Sequence, residues 1–337
     1  MSAGTPGAVP PADRGAEGRR RLALALLVIT PALWSANYIV ARAAIGVVEP
    51  HLLAFLRWSM ALALMLPIAW RALAARPVAW RREWRRMLVL GGLGMWICGA
   101  FVYIGAQTTS ATNIGLLYAT APVIIAAASA RVFGERLTRI QTAGVALALA
   151  GTLFVLLKGS PQNLFAVRFT RGDAWIVAAV ISWSVYSILL RKWPSALDPF
   201  ARLAVITMGG LVVLAPFTIA EAMIRGLPDF GPRVWLLAAV VALLPGFGAY
   251  QAYSFMQREL GPTRTGLVLY LGPVWAALAA WWLLDEPPLW YHFAGAAMIL
   301  PGLYLATRAQ PRAPATPPSA AAPPAPPSAD LRRSSPR

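Results

Sequence analysis

The sequence predicts an all-α membrane protein of ten transmembrane helices, arranged as two inverted five-helix repeats. Of its 337 residues, 58% are hydrophobic and only 13% are charged, whereas soluble domains average about 45–50% and 25%. Long stretches such as 22–41 and 87–117 carry no charged side chain, and a helix of about 20 apolar residues crosses the hydrocarbon core of a bilayer. The first half of the chain also repeats in the second.

The predicted spans follow from the apolar segments in order. The first span follows Arg19-Arg20-Arg21 as the h-region of a signal peptide would, but its apolar run is longer and more spans follow, so we interpret it as uncleaved. A short polar turn at 107–113 separates the third and fourth spans. The predicted spans are 22–44, 50–70, 87–107, 111–131, 138–158, 173–191, 199–221, 233–256, 262–284 and 289–308.

The two ends of the chain differ from the apolar part. Residues 1–18 are rich in glycine, alanine and proline, and residues 309–337 are rich in proline and alanine, so neither end has the composition to bury a core, and both are predicted to be disordered tails. The first five-helix repeat is expected over 19–158 and the second over 159–308.

The distribution of basic residues predicts the orientation. With the N-terminus inside, 22 of the 30 Lys and Arg fall in inside segments, five fall in outside loops and three lie within spans. Cytoplasmic loops carry the excess of Lys and Arg in membrane proteins. We therefore expect a multi-pass protein of the plasma (inner) membrane with both termini in the cytoplasm.

The internal repeat is detected by two shifts of the sequence. Shifting 121–157 by 151 positions onto 272–308 gives ten identities in 37 positions, and earlier residues match at a shift of 149. An odd number of spans in each half forces the halves to insert upside down relative to one another, as in many transporters. The matched pairs include Trp34/Trp183, Ser35/Ser184, Arg42/Arg191, Pro50/Pro199, Pro67/Pro216, Pro122/Pro273, Val123/Val274, Glu135/Glu286, Gly144/Gly295 and Gly151/Gly302.

Several short motifs stand in order at the two repeat positions. They are Leu33-Trp-Ser-Ala-Asn37, Pro50, Arg57-Trp58, Ala119-Thr-Ala-Pro-Val123, Gly134-Glu135-Arg-Leu137, Gly266 to Val274 and Asp285-Glu286. With these motifs the chain resembles, over 22–308, the EamA family of the drug/metabolite transporter superfamily. The resemblance implies ten helices in two inverted repeats and the export or exchange of amino acids, metabolites or drugs. The chain departs from the family at Asp285-Glu286, where the family usually has Gly-Glu.

Composition and motifs also argue against several functions. The net charge of +17 comes from short arginine runs between apolar segments, not from a basic face with polar partners, so nucleic-acid binding is not expected. The single Cys98 forms no internal disulfide and is interpreted as a packing residue. Two distant histidines and the lack of a glycine-rich phosphate loop predict neither a metal site nor a cofactor.

Aromatic and amide residues near the middle of the spans are the candidate solute site. Trp and Tyr normally collect at membrane interfaces, so their mid-depth position indicates a cavity lining, with core packing as the alternative. Glycine and proline interrupt the third span at Gly91–Gly94 and the eighth at Leu244–Gly248, and paired interruptions point to a transporter site. The candidate substrate-binding residues are Trp34, Asn37, Tyr38, Arg57, Trp96, Tyr103, Tyr118, Trp183, Tyr186, Tyr250, Gln251, Ser254 and Tyr270.

Charged residues within or beside the spans have two interpretations each. Arg57, seven residues past Pro50, either contacts the solute or a counter-ion, or is a structural arginine that bonds carbonyls of neighbouring helices or extends its charge to the membrane surface. Glu135 and Glu286 either stabilise the start of the next helix or take part in gating. No carboxylate is predicted at mid-depth, which argues against a central proton relay.

Together these patterns predict a secondary transporter or facilitator that exports a small neutral or zwitterionic metabolite by alternating access. Its expected partners are a small-molecule solute and membrane lipid. A membrane-embedded enzyme is the alternative, but the clustered catalytic side chains that it needs are absent from the sequence. A structural or signalling membrane protein would not need the paired helix interruptions.

Overall fold

Helices form all of the regular structure in the described part of the chain. The computed structural model describes residues 14–135, 137–284 and 287–308, and there the all-α prediction is confirmed. The helical segments are α1 (Arg14–Ala43), α2 (Pro50–Ala75), α3 (Pro77–Gly91, continued by Gly92–Ile97 and Cys98–Ala106), α4 (Ala111–Tyr118 and Ala121–Phe133), α5 (Arg139–Leu156), α6 (Arg171–Lys192), α7 (Pro199–Arg225), α8 (Pro232–Val241, continued by Ala242–Gly248 and Ala249–Leu260), α9 (Pro262–Gly266, Leu267–Leu271 and Gly272–Leu284) and α10 (Trp290–Thr307).

Among the described residues, α1 to α8 are the helices long and apolar enough to cross a membrane, so the chain is a multi-pass membrane protein. Segments α9 and α10 correspond to the ninth and tenth predicted spans. A 3₁₀ turn at Leu267–Leu271 interrupts α9, and α10 begins with Trp290, Tyr291 and His292. Ten spans therefore remain a prediction.

The helix boundaries have local causes in the sequence. Proline occupies the first turn of α2, α7 and α8, where its missing N–H costs no helical bond. The Asp198 carboxylate accepts hydrogen bonds from the backbone N of Phe200 (3.0 Å) and Ala201 (3.1 Å) at the start of α7. At the start of α5, Thr138 and Gln141 form a reciprocal capping box.

One predicted boundary needs correction. Residues 14–18, assigned from the sequence to a disordered tail, belong to α1, which begins eight residues before the predicted span at 22. Glu17 and Arg21, one helical turn apart, form an ion pair of 2.5 Å, and such a pair extends a helix beyond its apolar part. The rest of the predicted N-terminal tail, the tail at 309–337, and Asp285 with Glu286 lie outside the described residues.

Helices α3 and α8 each contain a π-helical segment. In α3 it spans Gly92–Ile97 and in α8 it spans Ala242–Gly248. The two shifts found in the sequence, 149 and 151, place 92–97 on 241–246 and 243–248, so with either shift the two segments overlap. A π segment leaves backbone carbonyls without their usual helical partner, and in a membrane these must be satisfied by other groups. The predicted interruptions of the third and eighth spans are thus π-helical turns.

Helices α5 and α10 approach each other at glycines. A β-carbon added at Gly144 would lie 2.6 Å from the carbonyl oxygen of Gly302, and one at Gly295 would lie 2.9 Å from that of Gly151. Because Gly144 pairs with Gly302 and Gly151 with Gly295, the two helices run antiparallel. Glycines at the contact allow backbones to pack directly, as in membrane helix pairs generally.

Candidate functional site

The helix bundle has two ends, which are named by residues beside α5. Glu135 precedes α5 and Lys158 follows it, so the Glu135 end and the Lys158 end are about 27 Å apart, at about 1.5 Å per residue. A central cavity of about 60 Å³ lies between a Glu135-end cavity of about 640 Å³ and a Lys158-end cavity of about 320 Å³.

Seven of the candidate residues line the central cavity together, although five different helices supply them. Pro31, Cys98, Val102, Val268, Leu269 and Gly272 complete the lining. Cys98, interpreted from the sequence as a packing residue, is thus part of the cavity wall. The seven predicted residues are Trp34, Asn37, Tyr38, Arg57, Tyr118, Trp183 and Tyr250.

A buried arginine forms the polar side of the central cavity. Arg57 is only 3% exposed, and its Nη1 donates hydrogen bonds to Asn37 Oδ1 (3.1 Å) and the Tyr103 hydroxyl (3.2 Å). The Tyr103 hydroxyl also donates to Asn37 Oδ1, at 2.7 Å. The Arg57 guanidinium carbon lies 4.6 Å from the centre of the Trp58 ring, within the range of a cation–π contact. Tyr103 is not among the residues that line the central cavity, but its hydroxyl bonds Arg57 and Asn37, which are.

Aromatic rings form the opposite wall. The ring centres of Trp34 and Trp183, which are repeat mates, lie 5.4 Å apart in an edge-to-face contact. Trp183 also stacks on the fully buried Tyr186 at 5.4 Å and meets Tyr250 edge-on at 5.5 Å. The sequence predicts that Trp34 and Trp183 face one another across a cavity. They instead touch and form one continuous wall, since edge-to-face packing is favourable for such rings.

The π segment of α3 holds three walls of the site in place. Its carbonyls accept hydrogen bonds from side chains of α6, α2 and α8, and Leu93 O also accepts from the backbone N of Cys98. The segment thereby fixes the positions of three helices around the cavity. The bonds run from Ser182 Oγ to Leu93 O (2.9 Å), from Trp58 Nε1 to Met95 O (3.1 Å) and from the Tyr250 hydroxyl to Gly94 O (2.9 Å).

The π segment of α8 packs against the arginine. A β-carbon at Gly246 would lie 3.6 Å from Cγ of Arg57 and 3.5 Å from Cβ of Ala61. The aliphatic part of Arg57 therefore packs against the backbone of α8 in the second half of the chain. Its guanidinium bonds Asn37 and Tyr103 of the first half. Both π segments thus contact residues that line the central cavity: the segment of α3 bonds Tyr250, and that of α8 packs on Arg57.

The remaining candidates lie elsewhere. Trp96 stacks on Phe217 at 3.9 Å and does not line the central cavity. Tyr270 is fully buried in a cluster with residues of α5 and α10. Gln251 is half-buried on α8 outside the cavity lining, and Ser254 lines the Glu135-end cavity. The sequence places these residues at a suitable depth but cannot specify which side of the helix faces the cavity.

A barrier that the sequence analysis missed closes the central cavity toward the Glu135 end. Tyr253 is fully buried, and its ring centre lies 4.6 Å from that of Trp183 and 5.7 Å from that of Trp34. Its hydroxyl is 2.6 Å from Ser187 Oγ and accepts from Gln257 Nε2 at 3.1 Å. The spacing of three residues from Tyr250 was the available signal, because residues three apart share a helix face.

Charged and polar groups form a network beside the Glu135-end cavity. Glu135 forms an ion pair with Arg191 of α6, and Thr263 Oγ1 of α9 donates to its other carboxylate oxygen at 2.8 Å. Glu135 lies in the loop before α5, Arg191 on α6 and Thr263 on α9, so the three residues come from both halves of the chain. The network therefore ties the halves together at this end.

The Lys158 end has polar contacts between the halves of its own, since Asn113 Nδ2 donates to the Asp173 carboxylate at 3.1 Å and the backbone N of His51 donates to Glu221 at 2.9 Å. Tyr38, Tyr118, Leu269 and Gly272 line both the Lys158-end cavity and the central cavity, so the two cavities adjoin. In contrast, the central and Glu135-end cavities have no described lining residue in common. The route from the central cavity leads toward the Lys158 end.

A helical membrane bundle with a closed central site that adjoins a cavity at one end has the architecture of a membrane transporter. The EamA-like transporter family matches residues 21–157 and 170–308. The chain belongs to this family, with one match in each half.

Individual relatives and solved structures agree with this assignment. The chain is 27% identical to an uncharacterized transporter of Archaeoglobus fulgidus, over 85% of this chain and 97% of the relative. It is 28% identical to a probable amino-acid metabolite efflux pump of Salmonella typhimurium, over 84% and 93%. A solved crystal structure matches with a TM-score of 0.63 at 22% identity, over 88% of this chain and 98% of the other. The protein is a transporter of small metabolites.

Proposed function

We propose that the protein exports a small zwitterionic metabolite, an amino acid or a close analogue, by alternating access at the central cavity. The observation that carries the proposal is that this cavity adjoins the Lys158-end cavity and is closed toward the Glu135 end by Tyr253. An aromatic wall opposite a buried guanidinium offers contacts to an apolar side chain and to charged groups of one small solute. The efflux-pump relative supports an amino-acid-like substrate.

We further propose ten spans in two inverted repeats. The α5–α10 contact supports this, because exchanging repeat mates turns the Gly144–Gly302 contact into the Gly295–Gly151 contact. A contact that maps onto itself in this way is the signature of a two-fold axis. Since the two helices are antiparallel, such an axis lies in the membrane plane. The equivalent π segments of α3 and α8 give independent support.

The orientation completes the proposal. We place both termini and the Glu135 end in the cytoplasm of a cell with the protein in its plasma (inner) membrane, as the basic residues favour. The described conformation is then open outward and closed inward.

The repeat also suggests which residues close each end of the bundle. The inner closure consists of Glu135, Arg191 and Thr263, and the mates of Arg191 and Thr263 are Arg42 and Thr112. Both of these line the Lys158-end cavity, where Arg42 Nη1 donates to the backbone carbonyls of Ala106 at 3.4 Å and Thr109 at 3.5 Å; Glu286, the mate of Glu135, lies outside the described residues. The proposal is that these residues close the outer end when the inner network opens.

Counterflow in proteoliposomes tests the function. The purified protein, reconstituted into vesicles loaded with one unlabelled amino acid, should accumulate the same labelled amino acid for at least one member of a panel of phenylalanine, leucine, threonine and alanine. Ile29→Ala, at a position 52% exposed on the bundle surface, is the matched control and should transport normally. Lack of counterflow for the whole panel would contradict an amino-acid substrate.

A further inference from the structure

Arg57 is a buried cation without a counter-ion. It is 3% exposed, and no described carboxylate lies within ion-pair distance of it. Its hydrogen-bond partners, Asn37 and Tyr103, are neutral. An arginine keeps its charge in proteins, and burying a charge without an opposite one costs several kcal/mol. A membrane protein that retains such a group normally uses it.

Residues that line the central cavity also carry buried donors without an acceptor. Asn37 Oδ1 already accepts from both Arg57 and Tyr103. Two further donors at the cavity, Arg57 Nε and Trp183 Nε1, are buried and have no hydrogen-bond partner in the described part of the chain. Buried donors usually find an acceptor. The missing group must therefore bring acceptor oxygens and, to balance Arg57, a negative charge.

From these observations we infer that Arg57 binds the carboxylate of the transported solute, with the Trp183 indole N–H as a second donor. The protein then selects solutes that carry a carboxylate over otherwise identical ones that lack it. This inference rests on the proposed substrate site, and it adds which chemical group the site recognises and which residue recognises it.

The space available agrees with this assignment. About 60 Å³ is the volume of roughly two water molecules in the liquid, which suits a carboxylate and little more. The remainder of the solute would extend past Tyr38 and Tyr118 toward the Lys158-end cavity of about 320 Å³. An ammonium group of a zwitterion would meet aromatic faces there, which attract cations.

A binding measurement separates this inference from the transport proposal. The thermal unfolding midpoint of the purified full-length protein in detergent is measured with L-phenylalanine, L-phenylalaninamide and phenethylamine. L-Phenylalanine should raise the midpoint, while both probes without a carboxylate should need at least tenfold higher concentration for the same rise, because their positive charge is repelled by Arg57. The same measurement is made with the other three amino acids of the counterflow panel and their amides. Equal stabilisation by acid and amide, or no stabilisation by any of the four acids, would overturn the inference whether or not counterflow is observed.

Two variants test whether Arg57 causes the preference for the acid over the amide. Arg57→Gln should abolish the preference for the acid over the amide, and Arg202→Gln is its control. Arg202 is likewise a largely buried arginine, whose Nη2 donates to Trp193 O at 2.6 Å, but it lines the Glu135-end cavity.

If Arg57→Gln fails to fold, the Asn37→Asp variant tests whether Arg57 binds the carboxylate. It would place a carboxylate where Oδ1 now lies, 3.1 Å from Arg57 Nη1. The internal carboxylate should pair with Arg57, leave the protein folded and lower the affinity for L-phenylalanine at least tenfold. A folded Asn37→Asp protein that binds the acid as well as wild type would show that Arg57 is purely structural.

Discussion

The Glu135 end and the Lys158 end of the bundle are built from matching stretches of sequence, yet they differ in their contacts. At the Glu135 end, Arg191 reaches a carboxylate and Thr263 donates to the same group. At the Lys158 end, Arg42, the repeat mate of Arg191, donates to the carbonyls of Ala106 and Thr109, and the Lys158-end cavity adjoins the central cavity. One sequence pattern therefore supports two local arrangements.

The difference identifies what the repeat is used for. If both ends were closed or both open, the contacts would describe a static channel or a sealed bundle. Under the proposed alternating access, a central cavity that adjoins one end cavity and is separated from the other is one of two states, and exchange of the two arrangements would move the opening from one side to the other. The α5–α10 glycine contact, shared by the two halves, is then the region about which they rearrange.

The largest expected effect is the sidedness of chemical labelling. In a Cys98→Ala background, Thr112→Cys in the Lys158-end cavity should react with an impermeant thiol reagent added to intact cells. Ser254→Cys in the Glu135-end cavity should react only after the membrane is opened. Both side chains are half-buried, so burial alone does not separate them. The reverse pattern would refute the orientation, and labelling of both from outside would refute the closed inner end.

The next largest effect concerns the α5–α10 contact. Gly144→Leu should destabilise the protein by about 3 kcal/mol or more, because its β-carbon alone would lie 2.5 Å from the Ala306 nitrogen and the helices must separate. The thermal unfolding midpoint in detergent measures this. Gly18→Leu is the control, since nothing lies within 4 Å of a β-carbon there. Unchanged stability of Gly144→Leu would remove the evidence for a tightly packed axis between the halves.

The third prediction concerns the central site, which serves both ends. Asn37→Ala or Trp183→Ala should reduce transport about tenfold, equivalent to about 1.4 kcal/mol, while insertion and folding persist. Asn37 positions the Arg57 guanidinium, and Trp183 forms the aromatic wall. Initial counterflow rates at equal protein density provide the measurement, with Ile29→Ala as the unaffected variant. Normal rates in both site variants would mean that these residues only pack the core.

Much of this site was accessible from the sequence, for a physical reason. Large amphipathic side chains such as Trp34 and Trp183 at mid-depth need partners that lipid does not provide, so their depth alone directs attention to the bundle interior. The paired interruptions in the third and eighth spans were likewise readable, because glycine and proline weaken helices wherever they occur. Their form, a π turn whose carbonyls bind side chains of three helices, depends on tertiary contacts.

Other features could not be read from one sequence. Trp96 has the same depth and type as Trp34, but its ring faces Phe217, and only packing decides which face of a helix turns inward. Tyr253 was overlooked because a tyrosine within a hydrophobic span gives no signal of its hydrogen bonds to Ser187 and Gln257. The contact between Glu135 and Arg191 joins residues 56 positions apart, which requires the fold.

The smallest expected effect, and the most direct probe of the comparison, is to weaken the closed end. Glu135→Gln removes the charge of a pair whose side chains are 31% and 39% exposed, and pairs so accessible to solvent are worth about 0.2–1 kcal/mol. The inward-open population should therefore rise by at most about fivefold. Cys98, which lines the central cavity and is the single cysteine, reports this change through its reaction rate with an impermeant thiol reagent.

In inside-out vesicles the reagent should modify Cys98 of the Glu135→Gln variant up to about fivefold faster than Cys98 of wild type. In right-side-out vesicles Cys98 of the variant should react more slowly than that of wild type, because one molecule cannot be open at both ends. Glu17→Gln is the matched control, since it breaks an ion pair with Arg21 that is 57% and 78% exposed and lies away from the cavities. A rate increase from both sides would mean that Glu135 stabilises the fold as a whole. Unchanged rates from both sides would leave Tyr253 and its hydrogen bonds as the barrier that holds the inner end closed.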